Sequence, residues 1–402
     1  MPWSSHKLGD FCEVIAGQSP EGKYYNDSGD GLPFYQGKKE FGERYIGAPQ
    51  KWTTKITKKA NSGDILMSVR APVGPINISI EQICIGRGLA AIRASDKLDR
   101  DFLFYYLLSK QDEIQGNEGA VFASINKSQI EELSISYVDL KEQKRIVAIL
   151  DQAFADIDKA RALTEQNLKN ARELFESYLQ QVFNQLGEEV VQTSLGNICS
   201  FKHGFAFKSE YFVDDSALVL LTPGNFYEEG GYRDRGHKQK YYDGPFPQEF
   251  LLSKGDLLVA MTEQAEGLLG SPALIPEDEV FLHNQRLGLV DIKSEYSESV
   301  DLEFLYHLFN TKYFRAKVQE TASGLKVRHT SPKKMEAIKV SIPTSLNQQK
   351  TIAKSLFNLK EKCNQLESIY LLKQAELEDL KNSLLQKAFS GELTKDKQEA
   401  AA

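Results

Sequence analysis

The stretch Gln143-Lys144-Arg145-Ile146 returns 206 positions later as Gln349-Lys350-Thr351-Ile352, and this repeat decides the fold. The same spacing relates Ser177-Tyr178-Leu179-Gln180 to Ser383-Leu384-Leu385-Gln386 farther along each copy. Insertions and deletions collect in loops, so a segment that keeps its length in both copies indicates a rigid regular element. The chain therefore contains two copies of one long, unbroken element.

Each copy has the periodicity of a long helix. Positions spaced alternately four and three apart are mostly apolar, which is typical of a coiled-coil seam, and neither run contains proline or glycine. Gly187 and Gly391 follow the two runs, where the end of a helix favours glycine. Each helix has one narrow seam, and its simplest partner is the other copy. The predicted pairing residues are Ile146, Leu150, Ile157, Leu174 and Tyr178, and then Ile352, Leu356, Leu366, Leu377 and Leu384.

Two polar residues, Asn167 and Lys373, fall at matching seam positions. They either fix the register of the pair or mark a weak position in it.

The segments outside the helices are also related to each other. Ser62-Gly63-Asp64-Ile65-Leu66 resembles Lys254-Gly255-Asp256-Leu257-Leu258, and both segments mix short β-like runs with glycine and proline turns. We predict a mixed α/β fold with two pseudo-repeated domains separated by the two long helices. The predicted boundaries are 1–139 and 188–346 for the domains, 140–187 and 347–393 for the helices, and 394–402 for a disordered tail.

The charge of the chain argues against a protein that simply coats DNA, because the net charge is −7. Basic residues are instead clustered locally, among tyrosines and glycines that suit phosphate and base-edge contacts. Arg70 and Arg87 follow strand-like runs and have either this role or a structural one, and Arg286 is taken as the counterpart of Arg87. The candidates for contact with double-stranded DNA are Lys38, Lys39, Lys51, Lys55, Lys58, Arg70, Arg87, Arg233, Arg235, His237, Lys238, Lys240, Arg286, Lys326, Arg328 and His329.

Sequence signatures of catalysis are missing. There is no phosphate-binding Gly-x-x-x-x-Gly-Lys-Ser/Thr loop, and Ile85-Gly86-Arg87-Gly88 is too short for a dinucleotide fingerprint. The six histidines and four cysteines lack metal-ligand spacing. We predict no catalytic residue, no metal and no cofactor in this chain. The start of the chain does not resemble a signal peptide and its apolar runs are too short to span a membrane, so we expect a cytoplasmic protein.

The most specific sequences lie at the helix ends. Lys141-Glu142-Gln143-Lys144-Arg145-Ile146 at one end and Gln386-Lys387-Ala388-Phe389-Ser390-Gly391-Glu392-Leu393 at the other resemble the conserved helical regions of type I restriction-modification specificity subunits. The Gly63-Asp64-Ile65-Leu66 element and its copy are similar to elements of the target-recognition domains in that family. The resemblance covers essentially the whole chain. Two helix ends depart from the family pattern: the first helix closes without Ser-Gly-Glu-Leu and the second opens without Glu-Gln.

The resemblance implies a function. Each domain would read one half of a bipartite, asymmetric DNA sequence, and the antiparallel helices would set the spacing and dock two DNA methyltransferase subunits. Those partners would methylate adenine at N6 with S-adenosylmethionine, and an ATP-dependent restriction subunit would join them for cleavage. The chain itself would be a non-catalytic recognition subunit. The alternative from the sequence is a coiled-coil adaptor of a multi-subunit assembly that does not bind DNA.

Overall fold

The computed structural model describes residues 3–115, 124–264 and 266–395. It divides into a first unit, made of residues 1–165 and 371–402, and a second unit, made of residues 166–370. Each unit combines small β-sheets with short helices and with parts of both long helices, which confirms the predicted mixed α/β class. Among the described residues, none of the helices has an apolar stretch long enough to cross a membrane.

The first unit is built on a four-stranded antiparallel sheet in the spatial order Cys12–Ala16, Leu89–Ala94, Ile65–Ser68, Ile76–Ile78. A second sheet pairs Leu32–Tyr35 in parallel with Ile83–Ile85. The remaining strands are Ser4–Lys7, Tyr25–Asn26, Trp52–Thr53, Lys59–Ala60 and Ser134–Tyr137. The short α-helices are Arg100–Ser109, Gln111–Gln115 and Lys127–Glu131, and the 3-10 turns are Leu8–Asp10, Gly22–Tyr24 and Lys38–Glu40.

The second unit repeats this arrangement. Its main antiparallel sheet has the order Cys199–His203, Leu287–Ile292, Leu257–Ala260, Pro272–Leu274, and its parallel pair is Val219–Leu220 with Phe281–Leu282. The remaining strands are Val190–Ser194, Phe212–Val213, Tyr241–Tyr242, Thr262–Glu263, Arg328–His329 and Lys339–Pro343. The short α-helices are Leu195–Ile198, Leu302–Phe309, Lys312–Glu320 and Pro332–Glu336, and the 3-10 turns are Ser209–Tyr211, Pro223–Asn225, Gly236–Lys238, Gln248–Phe250 and Ser294–Tyr296.

The repeated Gly-Asp pair makes the same turn in both units. Gly63 and Gly255 have φ angles of 87° and 86°, a conformation that glycine adopts without strain. The following carboxylate closes the turn, because the backbone N–H of Asn61 donates to Asp64 Oδ2 at 2.7 Å and that of Ser253 donates to Asp256 Oδ2 at 2.9 Å. The strands Ile65–Ser68 and Leu257–Ala260 follow at once and are fully buried. The motif therefore comes directly before a buried central strand of the main sheet in each unit.

The repeated glutamine fastens each long helix to its domain. Gln143 Oε1 accepts the backbone N–H of Asp99 at 2.7 Å, and its Nε2 donates to the carbonyls of Val138 at 2.7 Å and Lys97 at 3.2 Å. Asp99 is the N-cap of the short helix Arg100–Ser109. One buried side chain thus connects the start of the long helix with the residue that follows the preceding strand and with the cap of the short helix.

Gln349 makes the same three bonds in the second unit. Its Oε1 accepts from the backbone N–H of Asp301 at 2.9 Å, and its Nε2 donates to the carbonyls of Pro343 at 2.8 Å and Ser299 at 2.9 Å. Asp301 is again the N-cap of a short helix. Both glutamine side chains have no exposed surface, so their polar groups depend entirely on these bonds.

The long helices span Leu140–Asn184 and Leu346–Ser390, 45 residues each. In the second unit the Arg172 guanidinium lies 2.9 Å from the Glu367 carboxylate, and the Lys360 ammonium lies 5.1 Å from the centre of the Phe175 ring. As the residue numbers rise along the first helix, the numbers of the contacting residues fall along the second. The two helices are therefore antiparallel. In the first unit Lys381 lies over the ring of Phe154 in the same antiparallel sense.

The buried stripe of the first long helix has a period of eleven residues. Ile146, Ile157, Leu168 and Leu179 are buried and lie eleven apart. Eleven residues make three turns of 3.67 residues, close to an unstrained helix, whereas the predicted seam repeats every 3.5 residues. The predicted seam and the observed buried stripe share Ile146 at the start of the helix. Near its end they differ by one residue, since the seam predicts Tyr178 and the buried residue is Leu179.

The exposure of five residues corrects part of the predicted seam in the two helices. Leu174, Tyr178 and Leu366 are 49%, 37% and 38% exposed, and Asn167 and Lys373 are exposed as well. Leu174 and Tyr178 border a groove with Leu359 at the edge of the helix pair instead of lying in its centre. Of the other predicted pairing residues, the buried ones are Ile146, Leu150, Ile157 and Leu356, and the partly buried ones are Ile352, Leu377 and Leu384.

The end of the second long helix completes the core of the first unit. Leu385 and Ala388 are buried there, and the Phe389 ring meets the Phe102 and Tyr106 rings edge-on at centroid distances of 5.2 Å. The chain continues in order through a turn in which Thr394 is only 5% exposed. The predicted disordered tail therefore starts too early at 394, and residues 396–402 lie outside the described residues.

Candidate nucleic-acid interface

In the first unit, two parallel strands bring candidate cations to one edge. Leu32–Tyr35 and Ile83–Ile85 run in the same direction, so the segments that follow them start from the same end of the sheet. Lys38 and Lys39 stand exposed on the turn after the first strand, and Arg87 is exposed after the second. The two segments are joined because the Gly88 N–H donates to the Gln36 carbonyl at 3.1 Å.

Other first-unit candidates are exposed but partly engaged. Lys51 lies 3.0 Å from the Asp27 carboxylate and Lys55 lies 3.7 Å from that of Glu21. Surface ion pairs of this kind contribute little stability, so such lysines can exchange their partners for phosphates. The remaining exposed candidates are Lys58 and Arg70.

The second unit has the same design with a longer basic loop. Its parallel strands Val219–Leu220 and Phe281–Leu282 lead into the turn Pro223–Asn225 and into the segment with exposed Arg286. The basic loop is attached to the first of these turns, since the Arg233 N–H donates to the Asn225 carbonyl at 2.7 Å. The exposed cations of this loop are Arg233, His237, Lys238 and Lys240.

A buried amide pair holds the basic loop. Asn225 is 1% exposed, and its Nδ2 donates to Gln239 Oε1 at 2.9 Å, an oxygen that also accepts the Arg235 N–H at 3.2 Å. The half-buried Arg235 guanidinium lies against Gly224, where an added Cβ would come within 3.1 Å of its Cζ. These contacts hold both ends of the loop against the turn Pro223–Asn225.

The last basic cluster is divided between surface and interior. Lys326 and His329 are exposed, whereas Arg328 is half-buried. The Nη1 of Arg328 lies 3.4 Å from the carboxylate of Glu263, which is 2% exposed, and its Nη2 donates to the Gln319 carbonyl at 3.1 Å. The Glu263 carboxylate also accepts the backbone N–H groups of Gly267, Leu268 and Leu269, so Arg328 is one of several partners of this buried charge. Arg328 is thus engaged within its own unit, and its contact with DNA stays a prediction.

The strand registers also correct the match between Arg87 and Arg286. Ala94 pairs with Cys12 and Ile292 pairs with Cys199, so the two sheets align one residue differently from the sequence comparison. The Arg286 carbonyl accepts from Met261 N–H as the Gly88 carbonyl accepts from Val69 N–H. Arg286 therefore occupies the position of Gly88, and Arg87 corresponds to Gln285. Both arginines remain exposed at the same edge of their sheets.

Sequence reasoning missed a polar network around Arg44. Its Nη1 donates to Asp151 Oδ1 and its Nη2 donates to Asp101 Oδ1, both at 2.8 Å. The Tyr105 hydroxyl donates to the same Asp151 oxygen at 2.6 Å and accepts from Arg44 Nη1 at 3.2 Å. Burial alone would lower the pKa of Arg44, but its bonds to Asp151 and Asp101 outweigh burial and raise that pKa. The guanidinium is thus firmly cationic.

The corresponding place in the second unit is aromatic. His307 follows Tyr306 on the short helix Leu302–Phe309, and its ring lies 4.3 Å from Phe357 and 6.4 Å from Phe175 between centroids. Neither ring nitrogen has a hydrogen-bond partner, and burial lowers the pKa of His307 to about 3. His307 therefore acts as a neutral core side chain at ordinary pH.

Among the described residues, no group of three or more His, Cys, Asp or Glu side chains is placed to hold a metal ion. The four cysteines, Cys12, Cys84, Cys199 and Cys363, are free and buried. They pack as small apolar side chains.

Comparison with known proteins gives the family. The model of the type I restriction modification DNA specificity domain matches residues 1–167 and 187–377, which correspond to the two halves of the repeat. The putative type I restriction enzyme MjaX specificity subunit of Methanocaldococcus jannaschii is 40% identical over 174 residues, 42% of this chain and 40% of that protein. The MjaVIII specificity subunit of the same organism is 23% identical over 381 residues, covering 89% of this chain and 87% of that one. The match to the first relative thus spans less than half of its length.

Solved structures show the same fold. A chain from a structure on complex assembly and conformational transition of the type I R-M system aligns with a TM-score of 0.76 at 18% identity, over 97% of this chain and 98% of that chain. The HsdS subunit from Thermoanaerobacter tengcongensis aligns with a TM-score of 0.65 at 18% identity, over 97% of each chain. The match to the DNA specificity domain favours DNA specificity over the adaptor alternative. The chain belongs to the family of type I restriction-modification DNA specificity domains.

Proposed function

We propose that each unit of this chain reads one half of a bipartite DNA sequence for a type I restriction-modification complex. One observation carries the proposal: both units place exposed arginine and lysine side chains after a parallel strand pair at the same edge of the same small sheet. Arginine can hold a guanine edge with two hydrogen bonds, and lysine neutralises phosphate. The differing loops at this edge then account for two different half-sites.

The long helices supply the spacing between the half-sites. Helices of fixed length keep two DNA readers at a fixed separation, so the complex accepts only one length of non-specific spacer. Their exposed faces are proposed to dock two methyltransferase subunits. Those partners carry S-adenosylmethionine and methylate adenine at N6, and an ATP-dependent restriction subunit adds cleavage.

The acidic net charge fits this division of labour. At −7 the chain repels the DNA backbone at long range, so its own affinity for DNA is low. The methyltransferase partners contribute the missing phosphate contacts, and this chain contributes base selection. Recognition then depends on the assembled complex.

A genome-wide map of N6-methyladenine, in the native host and in a strain that lacks this gene, tests the proposal. We expect methylation to disappear at one motif, made of two short specific blocks around a constant spacer, because no other chain supplies that specificity. Re-expression of the gene is the control and should restore the motif. Unchanged methylation at every adenine motif in a host that expresses the complex would contradict the proposed function.

A further inference from the structure

We propose that Arg44 is a positioning residue that fixes the angle between the first DNA-reading surface and the long helix, and thereby sets how strictly the complex measures the spacer. The inference rests on the proposed function. It concerns one charged side chain of the first unit, which links a reading turn to the helix that carries it.

Arg44 belongs to the segment that bears Lys38 and Lys39. Gly47 N–H donates to the Glu40 carbonyl at 2.7 Å, which closes the chain back onto the Lys38–Glu40 turn. Arg44 itself is anchored to the sheet, since its carbonyl accepts the Ile78 N–H at 2.9 Å. Any movement of the Arg44 backbone is therefore passed to the basic turn.

The Arg44 side chain reaches the long helix and the short helix at once. Asp151 lies on the long helix, whereas Asp101 and Tyr105 lie on the short helix Arg100–Ser109. The guanidinium is planar and rigid, so two bonds to carboxylates in different helices fix its orientation. It also lies 5.2–5.5 Å from the ring centres of Tyr105 and Phe104, which limits sideways movement. The Arg44 side chain is 26% exposed, so water screens these contacts only in part.

Among the described residues of the second unit, the side chains at the matching positions form no such link. The residue 206 positions after Asp151 is Phe357, and the short helix presents His307 where the first unit presents Tyr105. These side chains pack as rings and make no directional bond with each other. Loss of one arginine should therefore loosen the angle of the first reading surface and leave the second surface unchanged.

The test uses the complete complex with its methyltransferase subunits, carrying Arg44→Gln, Arg44→Lys or Asp151→Asn. Initial methylation rates are measured on duplexes with the cognate spacer and with spacers one base pair shorter or longer. For Arg44→Gln and Asp151→Asn we expect the ratio of cognate to shifted rates to fall about tenfold, the size of a coupling between directly contacting residues. Arg44→Lys keeps the charge but loses the fork, and its ratio should fall less.

Arg93→Gln is the matched control. Arg93 also bridges two carboxylates, Glu13 at 2.9 Å and Asp64 at 2.8 Å, but Glu13 lies on a strand of the sheet, Asp64 lies on the turn before another strand, and neither belongs to a helix. This variant should lose stability and keep the spacer ratio of the wild type. An equal fall of the ratio for Arg93→Gln and Arg44→Gln would show general loosening and overturn the proposal.

Two other outcomes distinguish an error in the role of Arg44 from an error in the proposed function. If the wild-type complex discriminates spacers and the folded Arg44→Gln complex discriminates equally well, the role of Arg44 is wrong and the proposed function stands. If the wild-type complex methylates all spacers alike, the proposed function itself is wrong.

Discussion

The junction between domain and long helix is built in two ways in the two units. Both use a fully buried glutamine, Gln143 or Gln349, that binds the cap of a short helix and two carbonyls. The layer around it differs: the first unit adds an arginine network, and the second packs His307 against Phe357.

The comparison separates what the repeat must keep from what it can vary. The glutamine satisfies backbone groups, and every residue type has a backbone carbonyl and all but proline an N–H, so the bond pattern survives most changes in the surrounding sequence. The contacts around the glutamine are made by side chains alone, so either an ion-pair network or packed aromatic rings can form there. The two domains differ in their reading loops. They can therefore share the glutamine that attaches them to a long helix and differ in the side chains around it.

The largest effect is expected where the two junctions agree. Gln143→Ala or Gln349→Ala leaves one partly buried N–H, one partly buried carbonyl and one fully buried carbonyl without these partners, which should lower the free energy of unfolding of the affected unit by about 3 kcal/mol. Both tryptophans, Trp3 and Trp52, lie in the first unit, so urea unfolding followed by tryptophan fluorescence reports on Gln143→Ala. Hydrogen exchange resolved by mass spectrometry reports on Gln349→Ala.

Gln152→Ala provides the control for the glutamine variants, because Gln152 is exposed on the same helix as Gln143. It should change stability by less than about 0.5 kcal/mol. A large loss in one unit and none in the other would show that the two glutamines are not equivalent.

A smaller effect distinguishes the junctions by pH. The pKa of His307 is lowered to about 3 by burial, from an ordinary value of about 6.5, so the unfolded chain takes up a proton as pH falls through 6.5 and the folded chain does not. Stability from neutral His307 is therefore present above pH 6.5 and is lost as pH falls from there toward 3. Between pH 7 and pH 5 the loss is about 2 kcal/mol.

His283, whose pKa burial lowers to about 4, titrates in the same window of the second unit. His307→Phe should remove only its own share of the acid loss, measured by urea unfolding followed by circular dichroism at pH 7 and pH 5. In the first unit, burial would raise the pKa of Asp101, but bonds from Arg100 and Arg44 lower it. The stability that ionised Asp101 contributes is therefore lost only below the pH range in which histidine titrates. The same acid loss in wild type and His307→Phe would refute the comparison.

The smallest effect tests one hydroxyl of the arginine network. Tyr105→Phe removes the group that donates to Asp151 and accepts from Arg44, and should lower the stability of the first unit by about 1 kcal/mol. Tryptophan fluorescence during urea unfolding measures the change. A variant as stable as the wild type would place the strength of this junction in the Arg44 ion pairs alone.

The sequence predicted those features that repetition or local chemistry reveals. Both long helices, the fold class and the turn after Gly63 and Gly255 follow from period, spacing and backbone preference. The matched pair Gln143 and Gln349 was visible as well. Its role was not, because the bonded Asp99 and Asp301 lie 44 and 48 residues away in the chain.

The candidate site was less accessible to sequence reasoning. Arg44 has no local signal, since its partners Asp101 and Asp151 lie 57 and 107 residues away. Arg328 looked like a surface cation because the buried Glu263 that it serves is distant in sequence. The heptad template misplaced Leu174 and Tyr178, because a stripe with an eleven-residue period leaves a seven-residue template only gradually. The basic candidates stay predictions until DNA contact is measured.

The end of the second long helix packs in the core of the first unit, and this has a consequence for the order in which the two units can fold during synthesis. Residues 166–370 form the second unit as one continuous segment, whereas the first unit needs Leu385, Ala388 and Phe389 to fill its core and sets Trp3 against Gly391. On the ribosome the N-terminal domain emerges first, but its last packing partners are translated after the whole second unit. The half of the protein that is made first is therefore finished last, and until then the apolar side chains of its core lack these packing partners.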